Sequence, residues 1–169
     1  METIPDRHTC HAVLEMGRAG LPAVTGFFHA GITVSDMESS LTFYRDGLSL
    51  PVTTDRILDG DYLRTMLALD FTEIRVVYLE IPGGGLIELL EYRGIDNRSA
   101  AAPPHHFGAG HLCLFVDGID ELTARLVSAG GSPRSAPAVD VTKGPNAGAR
   151  AIYVRDPDGY SIELIERRS

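Results

Sequence analysis

The chain repeats its own plan. Residues 26–93 and 108–166 each read as strand, helix, then three strands, with one His in the first strand and one Glu in the last. His29 lies in Phe28-His29-Ala30-Gly31-Ile32-Thr33-Val34, and His111 in Gly110-His111-Leu112-Cys113-Leu114-Phe115-Val116. Glu88 lies in Leu86-Ile87-Glu88-Leu89-Leu90-Glu91, and Glu163 in Ser161-Ile162-Glu163-Leu164-Ile165-Glu166. A repeat puts corresponding residues at corresponding points, so the two His and two Glu arrive as matched pairs rather than as four scattered polar groups. The fold expected is α+β, two βαβββ modules with mainly antiparallel sheets; if curved sheets enclose a cavity, both His and both Glu project into it.

Strand alternation decides where these side chains point. Ile87 and Leu89 share one face, and Glu88 points to the other; Ile162 and Leu164 treat Glu163 the same way. A mid-sheet carboxylate is costly unless it is paired or coordinating. Two imidazoles and two carboxylates facing one space suit a divalent Zn, Ni, Co, Mn or Fe ion, with positions left for substrate oxygens. His29, Glu88, His111 and Glu163 are therefore the expected metal ligands. Glu91 and Glu166, three positions further on, read as solvated rim charges.

The elements follow from local signals. Phe27–Val34 is a strand. Ser35-Asp36-Met37-Glu38 has the form of a capping box, with Ser35 as cap and Glu38 reaching back. Met37, Leu41, Tyr44 and Leu48 then share one helical face, and Gly47 ends the helix. Pro51–Leu58 is a strand and Tyr62–Leu69 is ambiguous. Glu73–Ile81 and Leu86–Tyr92 form a hairpin around Gly83-Gly84-Gly85. Residues 93–107 form the seam. Gly110–Val116 opens the second half, followed by a helix over Ile119–Ala129 capped by Asp117 and strands near Ser132–Thr142, Ala149–Val154 and Tyr160–Glu166.

Composition narrows the partners. The formal charge of −8 lacks the positive face that nucleic acid requires. No apolar run has the length of a membrane span. Glu2, Asp6 and Glu15 interrupt any signal-like start, and Cys10 and Cys113 do not make a disulfide scaffold. A cytoplasmic setting is the simplest reading. Residues 1–25 read as a flexible arm or dimer contact; His8-Thr9-Cys10-His11 within it resembles a metal motif but has no scaffold. The domain proper is residues 26–169.

His29 through Asp36, Phe43-Tyr44-Arg45-Asp46, Leu86-Ile87-Glu88-Leu89, Gly110-His111-Leu112-Cys113 and Asp156-Pro157-Asp158-Gly159-Tyr160-Ser161-Ile162-Glu163-Leu164 together resemble the vicinal oxygen chelate superfamily. That superfamily includes glyoxalase I, methylmalonyl-CoA epimerase, extradiol dioxygenases and antibiotic-resistance proteins. The resemblance implies one divalent ion (Ni, Co, Zn or Mn, with Fe less suited), held by His29 and Glu88 from one module and His111 and Glu163 from the other. It also implies a homodimer and a small-molecule substrate with adjacent oxygens. Both single-chain and two-chain cavities occur in the family.

The resemblance points to a metal-dependent isomerase, epimerase or lyase that abstracts a proton next to a carbonyl. Glu163 is the first choice of base and Glu88 the second. The alternatives are an Fe(II) ring-cleaving dioxygenase, which uses three ligands, and a metal-free binding protein. Arg56, Arg64, Arg75 and Arg150 are candidates for substrate contacts. Asp61, Asp70 and Glu73 are candidates for a second base. Tyr44, Phe107, Tyr153 and Tyr160 are candidates to line a pocket, and His105 and His106 to form a lid.

Overall fold

The computed structural model describes residues 23–99 and 101–168. The His8-Thr9-Cys10-His11 motif and most of the expected arm lie outside the described residues. The first module runs β1 (His29–Thr33), α1 (Met37–Leu41), β2 (Val52–Leu58), α2 (Asp61–Leu67), β3 (Glu73–Glu80) and β4 (Leu86–Arg93). The second runs β5 (His111–Phe115), α3 (Ile119–Ser128), β6 (Ser132–Pro133), β7 (Val139–Asp140), β8 (Arg150–Arg155) and β9 (Ser161–Glu166). The first sheet has the order β1-β4-β3-β2 and the second β5-β9-β8-β6, with β7 also on β8. Each sheet is antiparallel except where its first strand lies parallel to its last.

Helix α1 packs on β4 and α3 on β6, β8 and β9, and α3 meets the Thr42–Gly47 turn that continues α1. Ile32, Val77, Leu79, Ile87 and Leu89 from the first sheet join Ile152, Val154, Ile162 and Leu164 from the second in a single core. Full burial of each such side chain contributes roughly 1.5–3 kcal/mol before the entropy of ordering it is subtracted. Two glycines permit the close docking. A Cβ on Gly47 would lie 2.9 Å from Leu126 Cδ2, and one on Gly131 would lie 2.6 Å from Phe43 Cε2. At Gly131 a side chain would also meet the Leu126 and Arg155 carbonyls, at 2.9 and 3.1 Å, so backbone must move there, whereas at Gly47 the Leu126 side chain can give.

A buried latch crosses the same seam. The Tyr44 hydroxyl donates to Asp156 Oδ2 at 2.8 Å, and Asp156 Oδ1 accepts from the backbone N–H groups of Asp158 and Tyr160. Asp158 in turn accepts from the N–H of Ser35 at 2.8 Å. Burial pushes the Tyr44 hydroxyl well above the usual phenol range and raises the Asp156 carboxyl as well. Tyr44 is thus a core and latch residue rather than a pocket wall.

Several local readings change. Asp36, not Ser35, caps α1 by accepting from Ser39 N at 2.8 Å, and Glu38 turns outward to Arg75 instead. The helix then widens: Thr42–Gly47 is π-helical, closed by Leu48 N–H donating to Phe43 O. The ambiguous segment is the helix α2, which covers a second core of Leu63, Phe71, Ile74 and Val76. The strand expected near Ser132–Thr142 survives only as the two short pieces β6 and β7. Pro133 and Pro137 have no N–H to give a ladder there.

Glu91 and Glu166 are not free rim charges. Glu91 accepts from Met37 N–H at 3.2 Å and Glu166 from Ile119 N–H at 3.0 Å, so each closes the N-terminus of its own module's helix. Asp117 is not the cap: Gly118 occupies that position without a side-chain bond, and Glu166 serves instead.

Candidate metal-binding half-sites

Register gathers the predicted residues in pairs. In the parallel pair β1/β4, His29 lies beside Leu86 and Gly31 beside Glu88. In β5/β9, His111 lies beside Ser161 and Cys113 beside Glu163. Each His is therefore aligned with the residue two before its Glu, and residues two apart share a face. Ile87, Leu89, Ile162 and Leu164 point into the core, which turns Glu88 and Glu163 to the outer faces. His29 Nε2 lies 3.1 Å from Glu88 Oε2, and His111 Nε2 lies 3.3 Å from Glu163 Oε2.

A tyrosine completes each pair. Tyr78 stands opposite Glu88 in the β3/β4 hairpin, and Tyr153 opposite Glu163 in β8/β9. The Tyr78 hydroxyl donates to Glu88 Oε1 at 2.5 Å. The Tyr153 hydroxyl lies 3.3 Å from His111 Nε2. Burial first, and then the adjacent carboxylate, pushes each phenol up to about 12. Cys113, exposed beside Glu163, is pushed up to about 11 by burial of its thiol and by that carboxylate, so it is not a reactive thiolate.

Among the described residues, no three His, Cys, Asp or Glu side chains stand close enough together to hold a metal ion. Each module offers a two-donor half, and the four donors do not converge within one chain. A cavity of about 560 Å³ lies elsewhere. It sits at the seam, between Gly31–Ser35, the linker with Arg98 and Phe107, and Asp158–Ser161, and none of the four donors lines it. Phe107 and Tyr160 are on its wall; His105 and His106 are not, and stack on each other at 4.6 Å between ring centres.

The other candidates separate by their partners. Arg64 bonds Asp61 and the Phe71 and Thr72 carbonyls, Arg75 bridges Asp55 and Glu38, and Arg150 holds Asp120. These three are tied into surface structure. Arg56 is opposite Val76 on β3, two residues from Tyr78, which places it on the first half-site's face. Glu73 pairs with Arg93 and Asp61 with Arg64, while Asp70 lies exposed before β3. The sequence reading missed Tyr78 altogether, although a signal was present. Both tyrosines lie ten residues before their Glu, with Gly83-Gly84-Gly85 or Asp156-Pro157-Asp158-Gly159 midway.

The two modules share one strand plan, elaborated by α2 in the first and by a split strand in the second, with matched His–Glu–Tyr sets, and comparison with known proteins gives the family. Residues 26–164 match the model of the Glyoxalase/Bleomycin resistance protein/Dioxygenase superfamily. The chain belongs to that superfamily. It is 28% identical over 149 residues to a 2-epi-5-epi-valiolone epimerase from Actinomyces sp, covering 86% of this chain and 81% of that one. It is 29% identical over 145 residues to a lactoylglutathione lyase from Haemophilus influenzae, covering 83% of this chain and 92% of that one. A solved glyoxalase family protein from Bacillus cereus shares the fold at a TM-score of 0.74 and 20% identity, covering 89% of this chain and 99% of its own.

Proposed function

We propose that this chain is a divalent-metal-dependent isomerase, epimerase or lyase of the glyoxalase and epimerase type, with His29, Glu88, His111 and Glu163 as metal ligands. One observation carries the reading: the His–Glu pair recurs in both modules at the same strand register, 3.1 Å apart in one and 3.3 Å in the other. Donors bound at about 2.1 Å and at a right angle lie about 3 Å apart, so each pair has the spacing of two neighbouring ligands. The names of the epimerase and lyase relatives support the reaction class.

Because the four donors do not converge in one chain, the site is proposed to assemble from two copies. The first module of one chain faces the second module of its partner, giving a homodimer with two centres. A bound divalent ion would supply Lewis-acid stabilisation of negative charge on the substrate's oxygens. The chain's own groups handle the proton. Glu163 takes it from the carbon next to the carbonyl and returns it. Tyr78 meanwhile holds Glu88 by its second oxygen, which leaves Glu88 the poorer base. A fourth ligand at Glu88 disfavours the three-ligand dioxygenase arrangement.

The test is metal content together with proton exchange. Protein purified without added metal is expected to hold about one Ni, Co, Zn or Mn per chain, and to exchange deuterium from solvent into S-lactoylglutathione next to its carbonyl. A chain that takes up no divalent ion on dialysis contradicts the proposal. About one Fe per chain, with activity lost in air, moves the assignment to oxygen chemistry.

A further inference from the structure

The first half-site has an aromatic neighbour that the second lacks. Phe28 comes directly before His29, and strand alternation alone would turn its ring to the opposite face. The ring instead folds back over the pair. Its centre lies 4.9 Å from that of His29, edge to face, and 5.9 Å from that of Tyr78 at an angle of 44°. His29 and Tyr78 are themselves 5.7 Å apart. Attractive aromatic pairs have centres roughly 4.5–7 Å apart, so the three rings form one cluster. His29 Nδ1 is buried with no hydrogen-bond partner among the described residues, so ring packing holds the imidazole beyond its Nε2 contact with Glu88. Gly110 precedes His111 as Phe28 precedes His29, so the second module has no such ring at the matching place.

Phe28 nevertheless stays 63% exposed. A single exposed apolar side chain needs no explanation on its own. Phe27, also exposed, is of that kind: it turns to the β3/β4 hairpin, where a Cβ on Gly85 would lie 3.0 Å from its Cε1. Phe28 differs because its ring is anchored on a proposed metal ligand and on the tyrosine that holds Glu88, with the rest of it open to solvent. The ground around Glu88 is apolar too. Leu86 and Leu90, two residues before and after it, share its face and are only partly buried. Gly31, beside Glu88 in the ladder, leaves the floor clear: a Cβ there would lie 3.4 Å from Glu88 Oε2 and 3.5 Å from Leu90 Cδ1. A polar pair set in such surroundings suits a ligand whose chelating oxygens adjoin an apolar group.

We propose that Phe28 is a specificity-determining residue: with Leu86 it forms a wall that takes an aromatic or alicyclic ring carried by the substrate next to its adjacent oxygens. The substrate class is thus a ring-bearing oxo compound rather than one with only a short polar chain. This deepens the functional reading above and rests on it for the position of those oxygens. Because the second module has glycine at the matching place, the ring lies over the first module, which leaves the carbon next to the carbonyl to Glu163. One aromatic contact of this kind is worth about three- to tenfold in affinity.

The experiment compares two probes on the full chain loaded with Zn or Ni. Acetohydroxamate and benzohydroxamate present the same two adjacent oxygens, one with a methyl group and the other with a phenyl ring. Calorimetry is expected to show benzohydroxamate binding about tenfold more tightly, and Phe28→Ala to bring the two affinities within about twofold of each other. The ratio of the two affinities reads the wall even where the variant holds its metal less firmly. The chain has no tryptophan, so Phe28→Trp places a single fluorophore at the wall. Benzohydroxamate should shift its emission further than acetohydroxamate does, and this variant decides the matter if Phe28→Ala releases the metal. Equal affinities in the native chain, a ratio unchanged in Phe28→Ala, or equal emission shifts in Phe28→Trp overturn the wall. The two proposals fail distinguishably: a chain that holds metal and binds both probes equally keeps the metal site and loses the wall, whereas one that takes up no divalent ion binds neither probe and loses both.

Discussion

The two modules carry the same three residue types at the same register, yet their half-sites differ in how firmly they are held. In the first, Glu88 is pinned between His29 and Tyr78, and α2 covers the far end of the face over Leu63, Phe71, Ile74 and Val76. In the second, Tyr153 lies beside both His111 and Glu163, no helix of residues 108–166 corresponds to α2, and Phe115 and Cys113 are exposed. The side chain of Glu88 is 14% exposed against 22% for Glu163. Position 31 is Gly, where a Cβ would lie 3.4 Å from Glu88 Oε2, while the matching position 113 is Cys. The two copies of one scaffold thus differ in enclosure, with Glu88 the more enclosed carboxylate and Glu163 the more open one, a contrast that the proposed roles of ligand and base rest on.

The sharpest way to break this contrast is to remove each carboxylate in turn. Glu163→Gln is expected to lower turnover by about 10²–10⁴-fold while keeping metal, and Glu88→Gln to lower it much less for the same metal content. A larger loss in Glu88→Gln places the base in the first module. The contrast also assumes that the latch fixes the two modules against each other. Asp156→Ala strips the partners of Tyr44 O–H and of the Asp158 and Tyr160 N–H groups, and should cost about 2–4 kcal/mol in urea unfolding. A loss within 0.5 kcal/mol or so would make the latch incidental.

Smaller effects probe the tyrosines. Tyr78→Phe frees Glu88 and should weaken metal binding about tenfold, whereas Tyr153→Phe should change it less; equal losses by calorimetry would erase the difference between the halves. The smallest effect is in pH. Burial raises the Asp156 carboxyl above its unfolded value, so the folded state holds that proton more tightly. Its contribution is present below the unfolded value of 3.8 and is lost as pH rises through the folded one. Asp156→Asn should flatten that part of the stability curve, and an unchanged slope argues against it.

Much of this was legible in the sequence, for reasons that particular residues show. Glu88 and Glu163 could be turned outward because Ile87, Leu89, Ile162 and Leu164 fix the strand period, and the repeat matched the histidines. Helix ends were less legible. Glu91 and Glu166 cap helices that lie 54 and 47 residues away in the chain, a pairing that no local pattern announces. Whether the four donors meet within one chain depends on how the modules dock, which is decided by Gly47, Gly131 and the Tyr44–Asp156 latch together.

The central claim, that each centre takes one half from each of two chains, has a direct test. One variant carries His29→Ala and Glu88→Ala, a second carries His111→Ala and Glu163→Ala, and the two are tagged differently and purified as mixed dimers. Each variant alone is expected to bind almost no divalent ion. The mixed dimer should recover one intact centre and hold about one ion per two chains, because the surviving halves face each other. Failure of the mixed dimer to bind more metal than either variant alone would contradict the account.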